Sequence, residues 1–120
     1  MDKNKYRFWC NAAKDFVQNY KYNGFVDELF DQRDFILTPQ QFIGILDVKM
    51  VEIYEGDVIK GKYGLEGIDV VGEVKYNYDW CSYFVDEYQI CDLAFDSLEI
   101  VGNIKKDYMY NDEGELVERK

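Results

Sequence analysis

The chain has 120 residues, of which 48% are hydrophobic and 18% aromatic, and a formal net charge of −10. This length and composition predict one folded domain with a single core, and they exclude a wholly disordered acidic chain. The negative charge disfavours tight binding to nucleic-acid phosphates and indicates a basic partner surface or solubility. The polar N-terminus and the lack of ~18 consecutive apolar residues predict a protein that is neither exported nor inserted in a membrane.

The residue types that most often carry catalysis are sparse. The chain has no histidine, which removes the commonest general base and the Ser-His and Cys-His arrangements. Its three cysteines, Cys10, Cys81 and Cys91, form no CxxC pair, so we expect reduced thiols rather than a disulfide framework or a zinc site. The sequence therefore predicts no catalytic residues and no cofactor.

The first forty residues are predicted to mix strand and helix. Tyr6–Cys10 is an aromatic-rich run typical of a strand. The apolar residues that follow are spaced by three to four and predict about two helical turns; they are Ala12, Ala13, Phe16, Val17 and Tyr20. The same period over residues 25–30 predicts a second short helix. A strand at 35–37 is predicted to end at Thr38 and Pro39, because proline cannot donate to a β-ladder.

From residue 41 onward the pattern predicts strands throughout. Short runs of β-branched and aromatic residues are separated by Gly, Asp or Asn, and the predicted strands are 42–46, 51–54, 58–63, 70–76, 82–85, 88–95 and 98–104. Five glycines are expected at turns and bulges of a tightly curved sheet: Gly56, Gly61, Gly64, Gly67 and Gly72. Residues 107–120 fit either a terminal hairpin or an ordered edge with an acidic tail that frays after about residue 112.

Two acidic turns have carboxylate oxygens that could hold a hard cation. Glu52, Glu55 and Asp57 surround the first turn, and Asp86 with Glu87 forms the second. Neither turn follows the EF-hand spacing, and a solvated acidic turn is the simpler interpretation. We therefore predict no metal site.

The strongest functional signal is an aromatic run between residues 76 and 88. On a strand of period two, Tyr76, Tyr78 and Trp80 would share one face, which could belong to the core. Tyrosine and tryptophan are, however, enriched at protein interfaces. We therefore predict a partner-binding patch with aromatic anchors and an acidic rim; the anchors are Tyr76, Tyr78, Trp80 and Tyr83, and the rim is Asp79, Asp86 and Glu87.

Four sequence blocks resemble one protein family. QFIGI at 41–45 and EIYEGDVI at 52–59 are similar to the Q-Y-T-G-L and E-I-Y-E-G-D-I-V signature of YopX-like proteins from temperate phages of Gram-positive bacteria. YRFW at 6–9 and LEIVGNI at 98–104 resemble the N-terminal F-R-A-W strand and the closing F-E-V-I-G-N-I of that family. One departure is Lys49-Met50, where the family has an Asn-Gly turn.

The resemblance implies a mainly β fold: a single YopX-like domain over residues 1–120, with a complex bifurcated β-sheet folded into a pseudo-barrel. One or two short helices are expected near the N-terminus. The resemblance also implies a phage or prophage protein in the cytoplasm of the infected bacterial host. The family has no established catalytic residues that could be transferred to this chain. In the turn at 54–57, Gly56 is expected to supply an unusual φ and the acids to cap exposed amides.

A small acidic phage protein without catalytic residues is expected to act by binding. The main hypothesis is inhibition of a host anti-phage defence protein, for example a defence-associated sirtuin NADase, with a basic or groove-bearing surface. One alternative is a phage regulatory or structural module that self-associates through edge strands. Another is a DNA mimic whose carboxylates imitate phosphates, although 14 Lys and Arg are interspersed among the acids.

Overall fold

The computed structural model describes residues 5–10, 14–17 and 37–119. Within these ranges the chain is mainly β, as predicted. The strands are β1 Tyr6–Cys10, β2 Asp15–Val17, β3 Leu37–Leu46, β4 Glu52–Tyr54, β5 Asp57–Tyr63, β6 Ile68–Asn77, β7 Ser82–Val85, β8 Tyr88–Gln89, β9 Glu99–Asn103, β10 Tyr108–Tyr110 and β11 Leu116–Glu118. Two 3-10 helices, Ile90–Asp92 and Phe95–Ser97, have three residues each, and no described helix is long enough to cross a membrane.

The strands pair antiparallel in two sheets and a separate hairpin. One sheet has the order β2-β1-β3-β4, the other has the order β8-β7-β6-β5-β9, and β10 pairs with β11. The β-sheet is strongly curled into a half-barrel, which agrees with the predicted pseudo-barrel. β6 changes its partner along its length, since residues 68–73 pair with β5 and residues 74–77 with β7. The β6–β7 hairpin therefore extends beyond the start of β5.

The hydrophobic core lies against the five-stranded sheet and includes the segment that follows β8. Its buried residues are Ile53, Ile59, Val70, Val74, Val85, Ile90, Leu93 and Leu98. The strand predicted over 88–95 is wrong beyond residue 89, where the first 3-10 helix begins. Ile90 and Leu93 are three residues apart and both reach the core, which a helical turn permits and a strand of period two does not.

The helix predicted over residues 12–20 is wrong where the structure describes it, because Asp15–Val17 forms β2. Lys14 adopts a left-handed φ of +55°, and its N–H donates to the Cys10 carbonyl over 2.9 Å. The chain thereby turns back, and the Phe16 ring packs edge-on against Trp9 with centroids 5.1 Å apart. The helix predicted over 25–30 lies outside the described residues.

β3 continues through Pro39, so the predicted end of the strand at this residue is wrong. Pro39 lies opposite Phe8 of β1. On the other side of β3, pairing with β4 begins only at Phe42. Pro39 has no N–H, but no ladder bond is lost on the β4 side because β4 does not pair with this part of β3. Proline is tolerated at such edge-like positions.

A buried polar network joins the two sheets. Arg7 of β1 and Gln40 of β3 belong to the first sheet, while Asp57 of β5 and Asn103 of β9 belong to the second. Arg7 forms an ion pair with Asp57, and the Asn103 Nδ2 donates to Asp57 Oδ1 at 2.9 Å and to Gln40 Oε1 at 3.0 Å. Asp57 Oδ2 also accepts the Tyr54 N–H at 2.8 Å. These bonds satisfy the polar groups that folding removes from water.

The turn at 54–57 brings the backbone close to this network. Gly56 has a φ of +89°, as predicted, and a Cβ on it would clash with the Gln40 side chain. Asp57 caps the turn through the Tyr54 N–H, which also agrees with the sequence interpretation. Glycine is therefore required at this position by both its φ and the space available.

The β3–β4 turn is organised by the Asp47 carboxylate. It accepts the N–H groups of Lys49 at 2.8 Å, Val51 at 2.9 Å and Ile100 at 3.2 Å, so it ties the turn to β9. Burial opposes ionisation of Asp47, but these three hydrogen bonds lower its pKa overall. Met50 adopts a left-handed φ of +65° in this turn.

The C-terminal segment forms a hairpin, which is one of the two predicted alternatives, with β10 and β11 paired from residue 108 to residue 118. The Asn111 Oδ1 closes its turn by accepting the N–H groups of Glu113 at 3.0 Å and Glu115 at 2.8 Å. Arg119 then donates to the Ile104 carbonyl at 2.8 Å. These contacts hold the end of the hairpin to the segment that leaves β9.

Replacing Asp57 with alanine is expected to destabilise the fold by about 3–5 kcal/mol, because Arg7 would remain buried without its counter-charge. The control is Asp69→Ala, which removes an exposed carboxylate paired with Lys62 and should change the free energy of unfolding little. Urea unfolding, monitored by tryptophan fluorescence, gives the free energy of unfolding of both variants. Equal stability losses in the two variants would contradict the assigned role of the network.

Asp47→Asn is expected to cost about 1.5–3 kcal/mol at pH 7, because its hydrogen bonds are to a charged acceptor. Folding lowers the Asp47 pKa. Its stabilisation is therefore fully present above the unfolded-state pKa of about 3.9 and is lost as the pH falls through the folded-state pKa. Urea unfolding from pH 7 to pH 2.5 should show the variant and the wild type converging in acid. Asp92→Asn is the control, because Asp92 is exposed. If the difference in unfolding free energy between Asp47→Asn and the wild type does not change with pH, the prediction is wrong.

Candidate functional site

The predicted patch lies on the β6–β7 hairpin, whose register separates its side chains onto two faces. The paired residues are Val74 with Val85, Lys75 with Phe84, Tyr76 with Tyr83 and Asn77 with Ser82. Val74 and Val85 are buried in the core, so the alternation places Tyr76 and Tyr83 on the core side. Lys75 and Phe84 consequently lie on the outer side.

Tyr78 and Trp80 lie in the loop between the strands rather than on β6. The Asn77 Oδ1 accepts the N–H groups of Asp79 at 2.9 Å and Trp80 at 3.2 Å, which starts the turn immediately after β6. Cys81 completes it with a left-handed φ of +50°. The prediction that Tyr76, Tyr78 and Trp80 share one strand face is therefore wrong, because a side-chain capped loop replaces the strand.

Three of the predicted anchors form a cluster on the core side, which we call the tyrosine face: Tyr76, Tyr78 and Tyr83. The Tyr76 ring lies edge-on to Tyr78 at 4.9 Å and to Tyr83 at 5.0 Å. The Tyr83 hydroxyl donates to Gln41 Oε1 at 3.4 Å, and burial followed by the nearby Glu55 charge raises the Tyr83 pKa. Tyr76 and Tyr83 thus largely pack against the protein, whereas Tyr78 is 84% exposed.

The fourth anchor, Trp80, packs on the other side of the hairpin. Its ring centroid lies 6.3 Å from that of Phe84, and the residue is 65% exposed. Phe84 lines a groove of about 430 Å³ between β6–β7 and the C-terminal hairpin, which we call the outer groove. Its other apolar lining residues are Val71, Tyr110 and Leu116, and its charged ones are Glu73, Lys75, Asp86 and Glu115. Trp80 therefore adjoins a formed concave surface.

The three predicted acidic rim residues are all exposed and occupy two turns. Asp79 lies between Tyr78 and Trp80 in the β6–β7 loop, whereas Asp86 and Glu87 form the β7–β8 turn. Asp86 lines the outer groove, and a Cβ on Gly72 would lie only 2.9 Å from its backbone nitrogen. The absence of a side chain at Gly72 thus lets the acidic turn approach β6.

Glu73 joins the outer face of β6 to the C-terminal hairpin. The Tyr110 hydroxyl donates to Glu73 Oε1 at 2.7 Å, and the Lys75 Nζ lies 3.8 Å from the same oxygen. The Lys75 Nζ is also 4.8 Å from the centroid of the Tyr110 ring. Burial and the Glu73 carboxylate raise the Tyr110 pKa. Tyr110 therefore donates as a neutral phenol and stabilises the docked hairpin.

A second groove of about 400 Å³ lies where β6 extends past the start of β5. It is lined by Gln40, Glu55, Tyr76 and Lys105, among others. Burial raises the Glu55 pKa, and the charge of the Glu73 carboxylate adds to this effect, while a hydrogen bond from the Gln41 backbone opposes it. This groove borders the buried network through Gln40 and the tyrosine face through Tyr76, and neither Tyr78 nor Trp80 lines it.

The first acidic turn is divided by the fold, so its three carboxylates do not converge. Glu52 pairs with Lys5 at 2.8 Å, Asp57 is buried against Arg7, and Glu55 lines the second groove. In the part of the chain that the structure describes, no three His, Cys, Asp or Glu side chains form a group that could hold a metal ion. The cysteines are free thiols: Cys10 is buried, and Cys81 and Cys91 are exposed.

Several residues of the outer groove were not predicted from the sequence. Phe84 lies inside the predicted aromatic window, but the assumption of one strand face left it out. Glu73, Tyr110 and Leu116 carry no local signal, because their neighbourhood depends on the docking of a hairpin more than thirty residues away.

Tyr110→Phe is expected to lower stability by about 0.5–1.5 kcal/mol, because Glu73 loses its phenol donor while the ring remains. Amide hydrogen exchange of residues 108–118 should accelerate, since the hairpin would open more often than the sheets. Tyr78→Phe is the control, because that side chain is 84% exposed. Unchanged exchange in the hairpin of Tyr110→Phe would show that the hydrogen bond does not hold it in place.

Comparisons with known proteins bear on this architecture. The family model described as YopX protein matches residues 1–113 of the chain. A comparison with curated proteins gives no match. The matched range includes both sheets, the β6–β7 hairpin and the first strand of the terminal hairpin. The chain therefore belongs to the YopX family of phage-associated proteins.

Proposed function

We propose that this chain is a non-enzymatic phage accessory protein that binds and inhibits a host anti-phage defence protein, for example a defence-associated sirtuin NADase. Its place of action would be the cytoplasm of the infected bacterium. The observation that carries the binding proposal is the β6–β7 loop, which presents Tyr78 at 84% exposure and Trp80 at 65% exposure. Family membership supports the phage context.

The loop is suited to binding because its conformation is already ordered. The Asn77 carboxamide holds the Asp79 and Trp80 amides, and the Tyr78 ring packs edge-on against Tyr76. A preorganised loop loses less conformational entropy when a partner is bound. Tyrosine and tryptophan also dominate the binding energy of many interfaces. These features favour protein recognition over a purely structural role for the loop.

The surrounding charge favours a basic partner surface. Asp79 is exposed between Tyr78 and Trp80, Asp86 and Glu87 are exposed in the turn at the other end of β7, and the whole chain has a net charge of −10. Complementary charge accelerates encounter with a basic surface and selects against acidic partners. The acids therefore act as a rim, while Tyr78 and Trp80 supply the buried contacts.

The two alternative functions receive less support from the described surface. Five described carboxylates are paired with lysines, as in Lys5–Glu52 at 2.8 Å and Lys106–Asp15 at 3.2 Å, and these cations interrupt a continuous row of phosphate-like charges. Of the described edges of the two larger sheets, β2, β4 and β8 have two or three residues and β9 has five. Such short edges offer few backbone groups for self-association.

We expect the tagged chain to capture one defence protein in stoichiometric amount from a bacterial lysate that carries defence systems, after a salt wash and identification by mass spectrometry. The captured protein should also lose its activity, read as NAD hydrolysis if it is a sirtuin. Tyr78→Ala with Trp80→Ala should abolish capture, because it removes the anchors. Leu65→Ala is the control, since Leu65 is fully exposed in the β5–β6 turn.

Two outcomes would overturn this proposal. If only the tagged chain itself is recovered, a self-associating phage module becomes the better interpretation. If the double variant captures the defence protein as well as Leu65→Ala does, the β6–β7 loop is not the binding surface. Circular dichroism of each variant establishes that the fold is retained.

A further inference from the structure

We propose that the outer groove binds an extended peptide segment that carries lysine or arginine between apolar residues. The inference rests on the proposed function, because it identifies which side of the β6–β7 hairpin engages a partner and the chemistry of the segment it accepts. Three features of the groove support it: its shape, its unbalanced charge and the position of its apolar residues.

The shape suits a segment rather than a flat surface. The groove encloses about 430 Å³ between the outer face of β6–β7 and the docked terminal hairpin. This volume lies within the range of about 300–1,000 Å³ that is common for ligand-binding clefts. The Tyr110–Glu73 hydrogen bond of 2.7 Å holds one wall in place, so the groove exists before a partner arrives.

The charge of the groove is negative and only partly compensated. Three carboxylates, Glu73, Asp86 and Glu115, line it together with one ammonium, Lys75. Lys75 is already engaged by Glu73 at 3.8 Å and by the Tyr110 ring. Among the described residues, Asp86 and Glu115 form no ion pair. A guanidinium or ammonium in the groove would supply the missing counter-charge.

The apolar residues lie next to these acids. Val71 is 50% exposed in the groove, and Phe84 and Leu116 are half-buried. Trp80 extends this surface, because its ring packs on Phe84. Apolar side chains on either side of a cation would therefore bury against Val71, Phe84 and Trp80 while the cation reaches Asp86 and Glu115.

Other occupants fit these contacts less well. A second copy of the chain carries a charge of −10 and would meet an acidic groove with repulsion. A nucleic acid would place phosphates against the same carboxylates. The tyrosine face offers a weaker site, because Tyr83 is held by Gln41 and only Tyr78 remains largely exposed.

The test uses the full ¹⁵N-labelled chain and three synthetic peptides with blocked termini: acetyl-LRLRL-amide, acetyl-LQLQL-amide and acetyl-LELEL-amide. The arginine peptide should shift the amide resonances of Val71, Phe84 and Leu116 in a saturable manner, with a Kd of roughly 1 mM or below. The glutamine peptide should bind at least about fivefold more weakly and the glutamate peptide more weakly still, because the groove is acidic.

A matched pair of double variants tests which carboxylates bind the arginine peptide. Asp86→Asn with Glu115→Gln should weaken binding of the arginine peptide at least about fivefold. Asparagine is chosen because Asp86 has a φ of +55°, which asparagine also tolerates. Glu87→Gln with Glu113→Gln removes the same charge from the same two turns outside the groove lining, and should retain binding.

The outcomes separate this inference from the proposed function. Saturable shifts on the tyrosine face, equal binding of all three peptides, or no saturable shifts with the arginine peptide would overturn the inference. So would a loss of binding that is equal in the two double variants. If the groove binds the arginine peptide as expected but the tagged chain captures no defence protein, the groove assignment stands and the proposed target class fails. If capture depends on Tyr78 and Trp80 but not on Asp86 and Glu115, the proposed target class stands and the groove assignment fails.

Discussion

The ion pair between Arg7 and Asp57 is the contact on which the arrangement of the two sheets depends. Arg7 is 15% exposed and Asp57 is 3% exposed, so both charges are largely removed from water. Such burial is tolerated only when the charges are paired and their remaining polar atoms are hydrogen-bonded. Gln40 and Asn103 supply those bonds, and the rings of Phe16 and Tyr54 contact the Arg7 guanidinium at 4.1 Å and 4.4 Å. The four polar residues come from four strands, so satisfying them requires both sheets to be in register.

The position of the candidate site follows from this junction. Asp57 begins β5, and the turn before it packs Gly56 against Gln40, so β5 starts at a defined point along β6. Beyond that point β6 pairs with β7 alone, and the loop that joins these strands presents Tyr78 and Trp80 to solvent. The terminal hairpin starts a few residues after Asn103 of the same network and docks on the outer face of β6. A buried charge thus positions both walls of an exposed groove.

Much of the strand pattern was predictable from local sequence. Alternation and turn residues located β1 and β7 at their observed bounds, and placed β5, β6 and β9 to within a few residues. The errors occurred where tertiary contacts override a local signal. Phe16 and Val17 fit a helical period, but pairing with β1 makes them a strand. Pro39 was expected to end a strand, but β4 begins late enough for it to remain in one. Ile90 and Leu93 were assigned to a strand, but both side chains reach the core from a 3-10 turn.

The sequence by itself determined the β character of the chain, its acidic charge, its membership of the YopX family and the aromatic composition of the β6–β7 region. These properties are read from residue type, local period and motif, which need no knowledge of distant contacts. Only the tertiary structure decided that Trp80 turns towards Phe84 while Tyr78 turns towards Tyr76, since β6 ends at Asn77, before both residues, and the Asn77 side chain caps the loop that follows. It also decided that Asp86 and Glu115 share one groove, because residues far apart in the chain become neighbours only when the terminal hairpin docks on the sheet.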